Sequence, residues 1–381
     1  MKIALNTVDL FPGREKLMPF RTILEVAYVM RKKGIEVDVL NSLVYANGEK
    51  DYEWYGVPIK QVPRSFAALV EYVDINGYDV FFFPATFRDG LKDLSKFKAM
   101  KCQKWAYIPS GVNPKENAWR LFYKYGYRLS RAYLFEAFTP KQLLVNKLKK
   151  NKFKGVIGLT DYTSNVFRNH IYTKTILAGK DNFENIQLDY SIVQKENLER
   201  EKYYLFMGAP HEVRGSGLLL DAFDRMAECY SNARMVFLMR TDVGSTYEKF
   251  FRKVNMLKHQ DKITIIQTSL SSAQLKAFIK TAYAVVLPFI CIPAEIPITY
   301  YEVMSIGTPI VSFNNGGTTK YLADGLMLVD SISSIKLFRA LKDLWTDPER
   351  RKKLGERGEH IMKKHPNWED VGEQWIMLVD K

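Results

Sequence analysis

The feature that most constrains this chain is a repeated alternation of short apolar strands with amphipathic helices. Residues 2–6 form an apolar run of strand length, residues 21–33 repeat apolar side chains at helical spacing, and residues 35–40 predict the next strand. Three more apolar runs of strand length follow in the first half of the chain, at residues 80–83, 105–108 and 156–159. Such alternation predicts a parallel sheet covered by helices on both faces.

The alternation stops at a polar stretch and then starts again. Residues 190–202 carry Lys, Glu and Arg in quick succession, and we place a domain linker there. A chain of 381 residues is long enough for two domains. The sequence therefore predicts an α/β chain of two Rossmann-like parallel-sheet domains, one over residues 1–189 and one over residues 203–365. In such sheets ligands bind outside the carboxyl ends of the strands, so we expect the site in the cleft between the domains.

Composition and cysteine usage exclude several classes of protein. Hydrophobic residues make up 47% and charged residues 26%, which is ordinary globular usage and excludes a disordered or collagenous chain. Three cysteines, an odd number lying far apart, argue against a disulfide framework and a metal knuckle. The apolar run over residues 283–294 is broken by prolines and is shorter than the ~20 residues that span a bilayer. The first residues lack the pattern of a secretory signal, so we expect a cytoplasmic location.

The net charge of +14 is concentrated in one segment. Residues 111–155 contain eleven Lys and Arg against two Glu, and Trp, Tyr and Phe are interleaved with the basic residues. This mixture fits a solvated helical surface whose rings belong to the core, or a surface for an anionic bilayer. Nucleic acid fits it less well. On the second interpretation the protein would be peripheral on the inner face of a membrane.

The most informative motif lies in the second predicted domain, after a strand that ends in Leu-Pro. A helix-like run begins at Ile298-Thr299, carries Glu302, and ends in Gly-Thr-Pro-Ile-Val at residues 307–311. This run resembles the donor-binding segment of the retaining GT-B fold glycosyltransferases, and glycosyltransferase family 4 (glycosyl transferases group 1) in particular. The resemblance implies that backbone N–H groups of Ile298 and Thr299 receive a diphosphate and that Glu302 accepts hydrogen bonds from ribose hydroxyls.

A second motif of the same family stands upstream. The family has a strand, Gly-Arg, a short loop and Lys-Gly, with both basic residues clamping the donor diphosphate. Here Gly208 and Gly215 match the two glycines, and Arg214 stands for the Lys. Ala209 replaces the first Arg, and His211 is a candidate to compensate for it. Arg binds phosphate in a bidentate manner and keeps its charge, so Arg214 is the expected diphosphate ligand.

Weaker matches complete the predicted site, together with two departures. Gly316-Gly317 matches a turn whose amides lie near the transferred sugar, and Gly13 stands where the family's glycine loop approaches the donor. Lys320 replaces the Glu that follows the turn. Ser110 stands where many members have a His, and its hydroxyl is a candidate to bind a sugar hydroxyl.

One position is shifted by a residue against the family pattern. The family's first Glu stands eight positions before the residue that matches Glu302, which gives Ala294 here, whereas the carboxylate is at Glu295. Flanking prolines mark this stretch as a loop, where local backbone geometry can re-aim a side chain. We predict that Glu295 takes the role of meeting sugar hydroxyls of the donor.

The resemblance implies a glycosyltransferase that moves a sugar from a nucleotide-diphosphate sugar to an acceptor hydroxyl with retention of configuration. The acceptor would be a glycan, a glycolipid or a lipid-linked saccharide. The residues expected to carry the reaction are Arg214, Glu295 and Ser110. No Asp-x-Asp triplet occurs in the chain, so we expect neither a metal ion nor a separate cofactor. The resemblance also implies that residues 366–381 form a helix that crosses back onto the first domain.

A second hypothesis comes from the departures. Ala209, Ser110 and Lys320 each replace a residue that the family uses, and this favours a catalytically silent relative. Such a protein would bind a glycan or stabilise a partner transferase. Binding of a nucleoside diphosphate discriminates between the two hypotheses.

Overall fold

Two β-sheets, each covered by helices, organise the chain. The computed structural model describes residues 1–18, 20–43, 50–109, 113–198, 203–239, 247–292 and 296–379. Each sheet has its own helices, so the chain has the predicted α/β architecture of two Rossmann-like domains that face each other.

The first domain contains an eight-stranded sheet. Its strands are β1 (Lys2–Val8), β2 (Glu36–Leu43), β3 (Tyr52–Trp54), β4 (Val57–Pro63), β5 (Val80–Pro84), β6 (Gln103–Ile108), β7 (Gly155–Gly158) and β8 (Thr173–Thr175). Their order is β3-β4-β2-β1-β5-β6-β7-β8, and only the β3–β4 pairing is antiparallel. Three of these strands, β3, β4 and β8, were not predicted. Strands β3 and β8 have three residues each, which are too few to show a period.

Six α-helices lie in the described residues of the first domain between its strands. They are α1 (Phe20–Lys32), α2 (Phe66–Ile75), α3 (Lys115–Tyr125), α4 (Tyr127–Phe138), α5 (Lys141–Lys150) and α6 (Asp161–Ser164). Gly126 ends α3 with a φ of +79° and turns the chain directly into α4. The basic segment therefore forms an α3–α4 hairpin followed by α5.

The second domain contains a six-stranded parallel sheet. Its elements are α7 (Ser191–Lys195), β9 (Tyr203–Met207), α8 (Ser216–Cys229), β10 (Arg234–Met239), α9 (Glu248–Asn255), β11 (Ile263–Gln267), α10 (Ser272–Thr281), β12 (Ala284–Leu287), α11 (Ile298–Met304), β13 (Ile310–Phe313), α12 (Gly317–Tyr321), β14 (Leu326–Val329), α13 (Ser334–Thr346), α14 (Pro348–Lys364) and α15 (Trp368–Val379). The strand order is β11-β10-β9-β12-β13-β14. The order reverses between β9 and β12, which is where sheets of this kind bind ligands.

The segment predicted as a linker carries structure of its own. Helix α7 lies within it, and Val193 of α7 is buried in the core of the second domain, as is Phe183 before it. Lys276 of α10 donates to the carbonyl oxygen of Glu184 at 2.6 Å, which fastens the segment to the second domain. Residues 199–202 lie outside the described part.

Helix α15 crosses back onto the first domain, as predicted. Trp375 is fully buried there, with its ring 4.8 Å from the ring of Phe82 and 5.7 Å from that of Tyr107. Gly372 lets α15 approach α1 closely, since a Cβ at this position would lie 2.4 Å from a methyl carbon of Val29. Among the helices described, none has the length and apolar character needed to cross a bilayer.

Candidate active site

The loop after β9 and the loop after β12 meet at the point where the strand order reverses. Gly208 ends β9 with a φ of +105°, and Gly215 follows a short 3-10 turn with a φ of +74°. A Cβ at Gly215 would lie 2.0 Å from the carbonyl oxygen of Pro288, which follows β12. Ile290 donates its backbone N–H to the carbonyl oxygen of Val213 at 2.9 Å. The missing side chain of Gly215 allows the two loops to approach each other, and this hydrogen bond joins them.

The guanidinium of Arg214 lies directly over Gly208. A Cβ at Gly208 would lie 2.2 Å from Nη1 of Arg214, so glycine is required both by its positive φ and by this contact. The guanidinium carbon also lies 5.7 Å from the ring centroid of Phe289, within cation–π range. The structure therefore brings together the predicted Gly208, Arg214 and Gly215 in one cluster.

Helix α11 carries three of the predicted residues, Ile298, Thr299 and Glu302. Tyr300 ties the helix to β13, because its buried hydroxyl lies 2.8 Å from Oγ of Ser312. Burial raises the pKa of Tyr300 to about 12. No described side chain caps the start of α11, which follows Pro297. Glu302 is partly exposed. The buried tyrosine thus fixes the helix, and no described side chain caps its start.

The Gly316-Gly317 turn opens α12 at the edge of an interdomain cavity. Gly316 has a φ of +96°, and its N–H donates to Oδ1 of Asn314 at 3.3 Å. Gly317 and Lys320 line a cavity of about 1150 Å³ whose opposite wall, including Asp161, belongs to the first domain. Lys320 Nζ lies 5.0 Å from the ring centroid of Tyr162. The Lys that replaces the family's Glu therefore lies on the cleft wall.

Two asparagines of the first domain form hydrogen bonds with the loops after β12 and β13 of the second domain. They were not predicted from the sequence. Asn113 and the backbone of Ile292 exchange two hydrogen bonds, each of 2.9 Å. Asn117 donates to the carbonyl oxygens of Ile290 and Asn314, each at 3.0 Å. Both side chains are less than 10% exposed. Two asparagines four residues apart, directly after the predicted site loop, were the only signal in the sequence.

The α3–α4 hairpin also packs against the second domain. Leu121 of α3 is buried within the hydrophobic core of the second domain. Burial raises the pKa of Tyr133 on α4 to about 12, and Cys291 and Arg214 are near enough for their charges to affect it. Some aromatic side chains of residues 111–155 therefore pack between the two domains.

Ser110, Glu295 and Gly13 are predicted residues without a described contact to the Arg214 cluster. Ser110 and Glu295 lie outside the described residues. Asn113 is three residues after Ser110, Ile292 is three residues before Glu295, and these two residues are hydrogen-bonded to each other. Gly13 lies in the exposed loop between β1 and α1, and a Cβ there would meet no atom within 4 Å. His211 precedes the 3-10 turn, with its ring 5.6 Å from that of Tyr247.

A buried histidine joins the two domains where the chain crosses back. His365 Nε2 lies 2.8 Å from the carbonyl oxygen of Ala178, and Nδ1 lies 3.0 Å from the hydroxyl of Tyr321. Burial lowers the pKa of His365 to about 4, so the ring is neutral at pH 7. It therefore donates from Nε2 and accepts from Tyr321 at Nδ1.

Comparison with known proteins gives a family match and solved structures of similar fold. Residues 190–361 match the family model of the glycosyl transferases group 1. Spore coat protein SA of Bacillus subtilis (strain 168) is 24% identical over 232 residues, which cover 55% of this chain and 59% of that protein. The chain thus spans about 59% of the length of this curated relative.

Solved structures with the same fold cover the whole chain. A sucrose-phosphate synthase from Thermosynechococcus elongatus is 15% identical, with a TM-score of 0.74 over 100% of this chain and 98% of that one. Anabaena HepE, solved with UDP and glucose, is 14% identical, with a TM-score of 0.70 over 100% of both chains. The chain has the GT-B fold, and the resemblance to glycosyl transferases group 1 is confirmed.

Proposed function

We propose that this chain is a glycosyltransferase that binds a nucleotide-diphosphate sugar on its second domain and transfers the sugar, with retention of configuration, to a hydroxyl held by its first domain. The observation that carries the proposal is the Arg214 guanidinium held over Gly208 at the switch point of a sheet that matches the glycosyl transferases group 1 model. The role of nucleotide sugars is supported by HepE, which was solved with UDP-glucose.

Arg214 is the proposed ligand of the donor diphosphate. Its cation does not titrate near neutral pH, and its planar fork matches two phosphate oxygens. As the nucleoside diphosphate departs from the sugar, negative charge develops beside Arg214. A fixed cation at this place lowers the activation barrier of the transfer. Phe289 and Gly208 confine the guanidinium, so it needs little reorganisation during the reaction.

The other predicted residues complete the donor site in this proposal. Glu302 accepts from the ribose hydroxyls, and the backbone amides of Ile298 and Thr299 receive the diphosphate. Glu295 and the Gly316-Gly317 turn meet the sugar. Burying these polar contacts orients the anomeric carbon for attack.

The acceptor is proposed to enter from the first domain. Asn113 and Asn117 already bind the loops after β12 and β13, so they hold the first domain against the donor side of the cleft. Closure of this kind excludes water, which would otherwise compete with the acceptor hydroxyl. Ser110, which precedes α3, is the candidate to bind a sugar hydroxyl there.

A direct experiment measures sugar transfer without metal. Since Arg214 and backbone amides would neutralise the diphosphate, no divalent cation is required in this proposal. We expect an anomer-retaining product, identified by NMR, in the presence of a chelator. Complete loss of transfer that returns on adding Mg²⁺ or Mn²⁺ contradicts metal independence. Absence of nucleoside-diphosphate binding altogether favours the alternative, a catalytically silent subunit that binds a glycan or stabilises a partner.

A further inference from the structure

Helix α3 has two faces of different character. Asn117, Leu121 and Tyr125 follow each other at intervals of four residues and face the second domain. Trp119 and Tyr123 lie on the opposite side of the helix and are 43% and 81% exposed. One face of α3 is therefore part of the cleft, while the other is an apolar surface open to its surroundings.

The exposed side chains of α3 and α4 form a continuous aromatic patch. The ring of Trp119 lies 5.7 Å from Phe122, 5.9 Å from Tyr123 and 5.4 Å from Phe138. The hairpin exposes three further large apolar side chains, Tyr127, Leu129 and Phe135. We call this surface the hairpin patch. Contiguous exposed rings of this kind are uncommon on a protein that meets only water.

Basic side chains surround the hairpin patch. Lys115 Nζ lies 5.3 Å from the ring centroid of Phe138. Two further exposed cations, Arg128 and Arg131, lie on α4, whereas Arg120 and Lys124 line a groove shared with the second domain. Of the two acidic residues, Glu136 accepts from the backbone N–H of Phe87 at 3.2 Å and is partly buried, whereas Glu116 at the start of α3 is exposed. The exposed charge around the rings is therefore predominantly positive.

We propose that the hairpin patch docks on an anionic bilayer surface and that the acceptor hydroxyl belongs to a lipid-linked saccharide in that bilayer. This rests on the proposed function, since it names the acceptor class of the same site. Trp and Tyr rings favour the headgroup level of a bilayer, and basic residues near an anionic surface are attracted to it. A second copy of the chain does not suit the patch, because two positive faces repel each other.

The two faces of α3 explain why docking at this place matters for the reaction. A helix with its side chains is ~10–12 Å across, so the loops bound by Asn117 lie about one helix diameter from the docked surface. An acceptor sugar that extends from a lipid headgroup reaches the cleft over such a distance without leaving the bilayer. Docking therefore places the cleft directly above its substrate.

The experiment is sedimentation with vesicles of phosphatidylcholine alone and of phosphatidylcholine with 30 mol% phosphatidylglycerol. We expect binding to the anionic vesicles only, weakened at least tenfold by 0.5 M NaCl because exposed charges are then screened. The double variant Trp119→Ser/Tyr123→Ser and the double variant Arg128→Gln/Arg131→Gln should each reduce binding at least fivefold. Met256→Ser removes an equally exposed apolar side chain from the second domain and should have no effect.

Each outcome supports or overturns the docking proposal. Equal binding to both vesicles, no binding to either, or unchanged binding by the hairpin variants overturns it. A dimer in sedimentation velocity that Trp119→Ser/Tyr123→Ser dissolves assigns the patch to a second copy and also overturns it. Circular dichroism and thermal unfolding establish that the variants are folded. Nucleoside-diphosphate binding, measured in parallel without lipid, separates failure of docking from failure of the proposed function.

Discussion

The side-chain amide of Asn117 donates to the carbonyl oxygen of Asn314 at 3.0 Å, across the boundary between the two domains. Asn314 stands two residues before Gly316 in the Gly316-Gly317 turn, and its side chain accepts from the Gly316 N–H. The same Asn117 amide also donates to Ile290, after β12. One buried residue of the first domain thus holds two loops of the second.

Asn117→Ala should loosen this contact. It removes two hydrogen bonds at buried carbonyl oxygens, which costs ~1–3 kcal/mol of the free energy of unfolding. We expect a fall in transfer rate of at least tenfold, with the affinity for free nucleoside diphosphate reduced much less. Asn146→Ala, an exposed asparagine on α5, is the matched control. Wild-type kinetics for Asn117→Ala would mean that the interdomain hydrogen bonds have no role in transfer.

Gly208→Ala should act through Arg214. The added Cβ would lie 2.2 Å from Nη1 of Arg214, at a φ of +105°. Because the guanidinium is the mobile partner, we expect it to move, lowering nucleoside-diphosphate affinity at least tenfold. Gly34→Ala, at a φ of +82° with no atom within 4 Å, controls for backbone strain alone and should leave affinity unchanged. Equal nucleoside-diphosphate affinities for the two variants would mean that Gly208 has no role in the donor site.

Glu295→Ala tests the shifted register of the family's first Glu. A carboxylate that accepts hydrogen bonds from donor sugar hydroxyls contributes ~1.5–3 kcal/mol. We expect the transfer rate with the nucleotide sugar to fall at least tenfold, while binding of the nucleoside diphosphate without sugar is retained. Ala294→Ser, at the position that the family count gives, should behave as wild type. The reverse pattern assigns the role to position 294.

His365 gives stability a pH dependence of predictable sign. Its pKa is lowered from 6.5 to about 4 in the folded chain, so between these values only the unfolded chain binds the proton. Stability is therefore lost as pH falls below 6.5, by ~2 kcal/mol between pH 6.5 and 5. Denaturant unfolding of His365→Asn should have a correspondingly smaller pH dependence. His360→Asn, on the exposed side of α14, should keep the wild-type dependence.

Much of the fold was predictable because local pattern determines it. Buried parallel strands give apolar runs, and α1 ends two residues before Gly34, whose φ of +82° suits glycine. The Arg214-Gly215 pair was predictable because the chain itself places it between β9 and α8. Phe183 and Val193 were not, since their packing on the second domain depends on a neighbouring helix that is distant in sequence.

The interdomain contacts could not be predicted from the sequence. Helical spacing shows that Asn117 and Leu121 share a face, but it does not show which domain that face meets. His365 likewise resembles any lone histidine until Ala178 and Tyr321 are brought to its two nitrogens. Contacts between residues nearly 200 positions apart arise from the arrangement of the domains, which no local pattern records. The roles of Ser110 and Glu295 stay predictions.

The measurement that tests the central claim most directly is calorimetric titration of wild type, Arg214→Met and Arg225→Met with UDP, GDP and ADP in the presence of a chelator. Arg225 is an exposed arginine on α8 and serves as the matched control. We expect micromolar binding of one nucleotide by wild type and Arg225→Met, and a loss of at least tenfold in Arg214→Met. No binding of any nucleotide by wild type, or equal binding by all three proteins, would contradict a donor site built on Arg214.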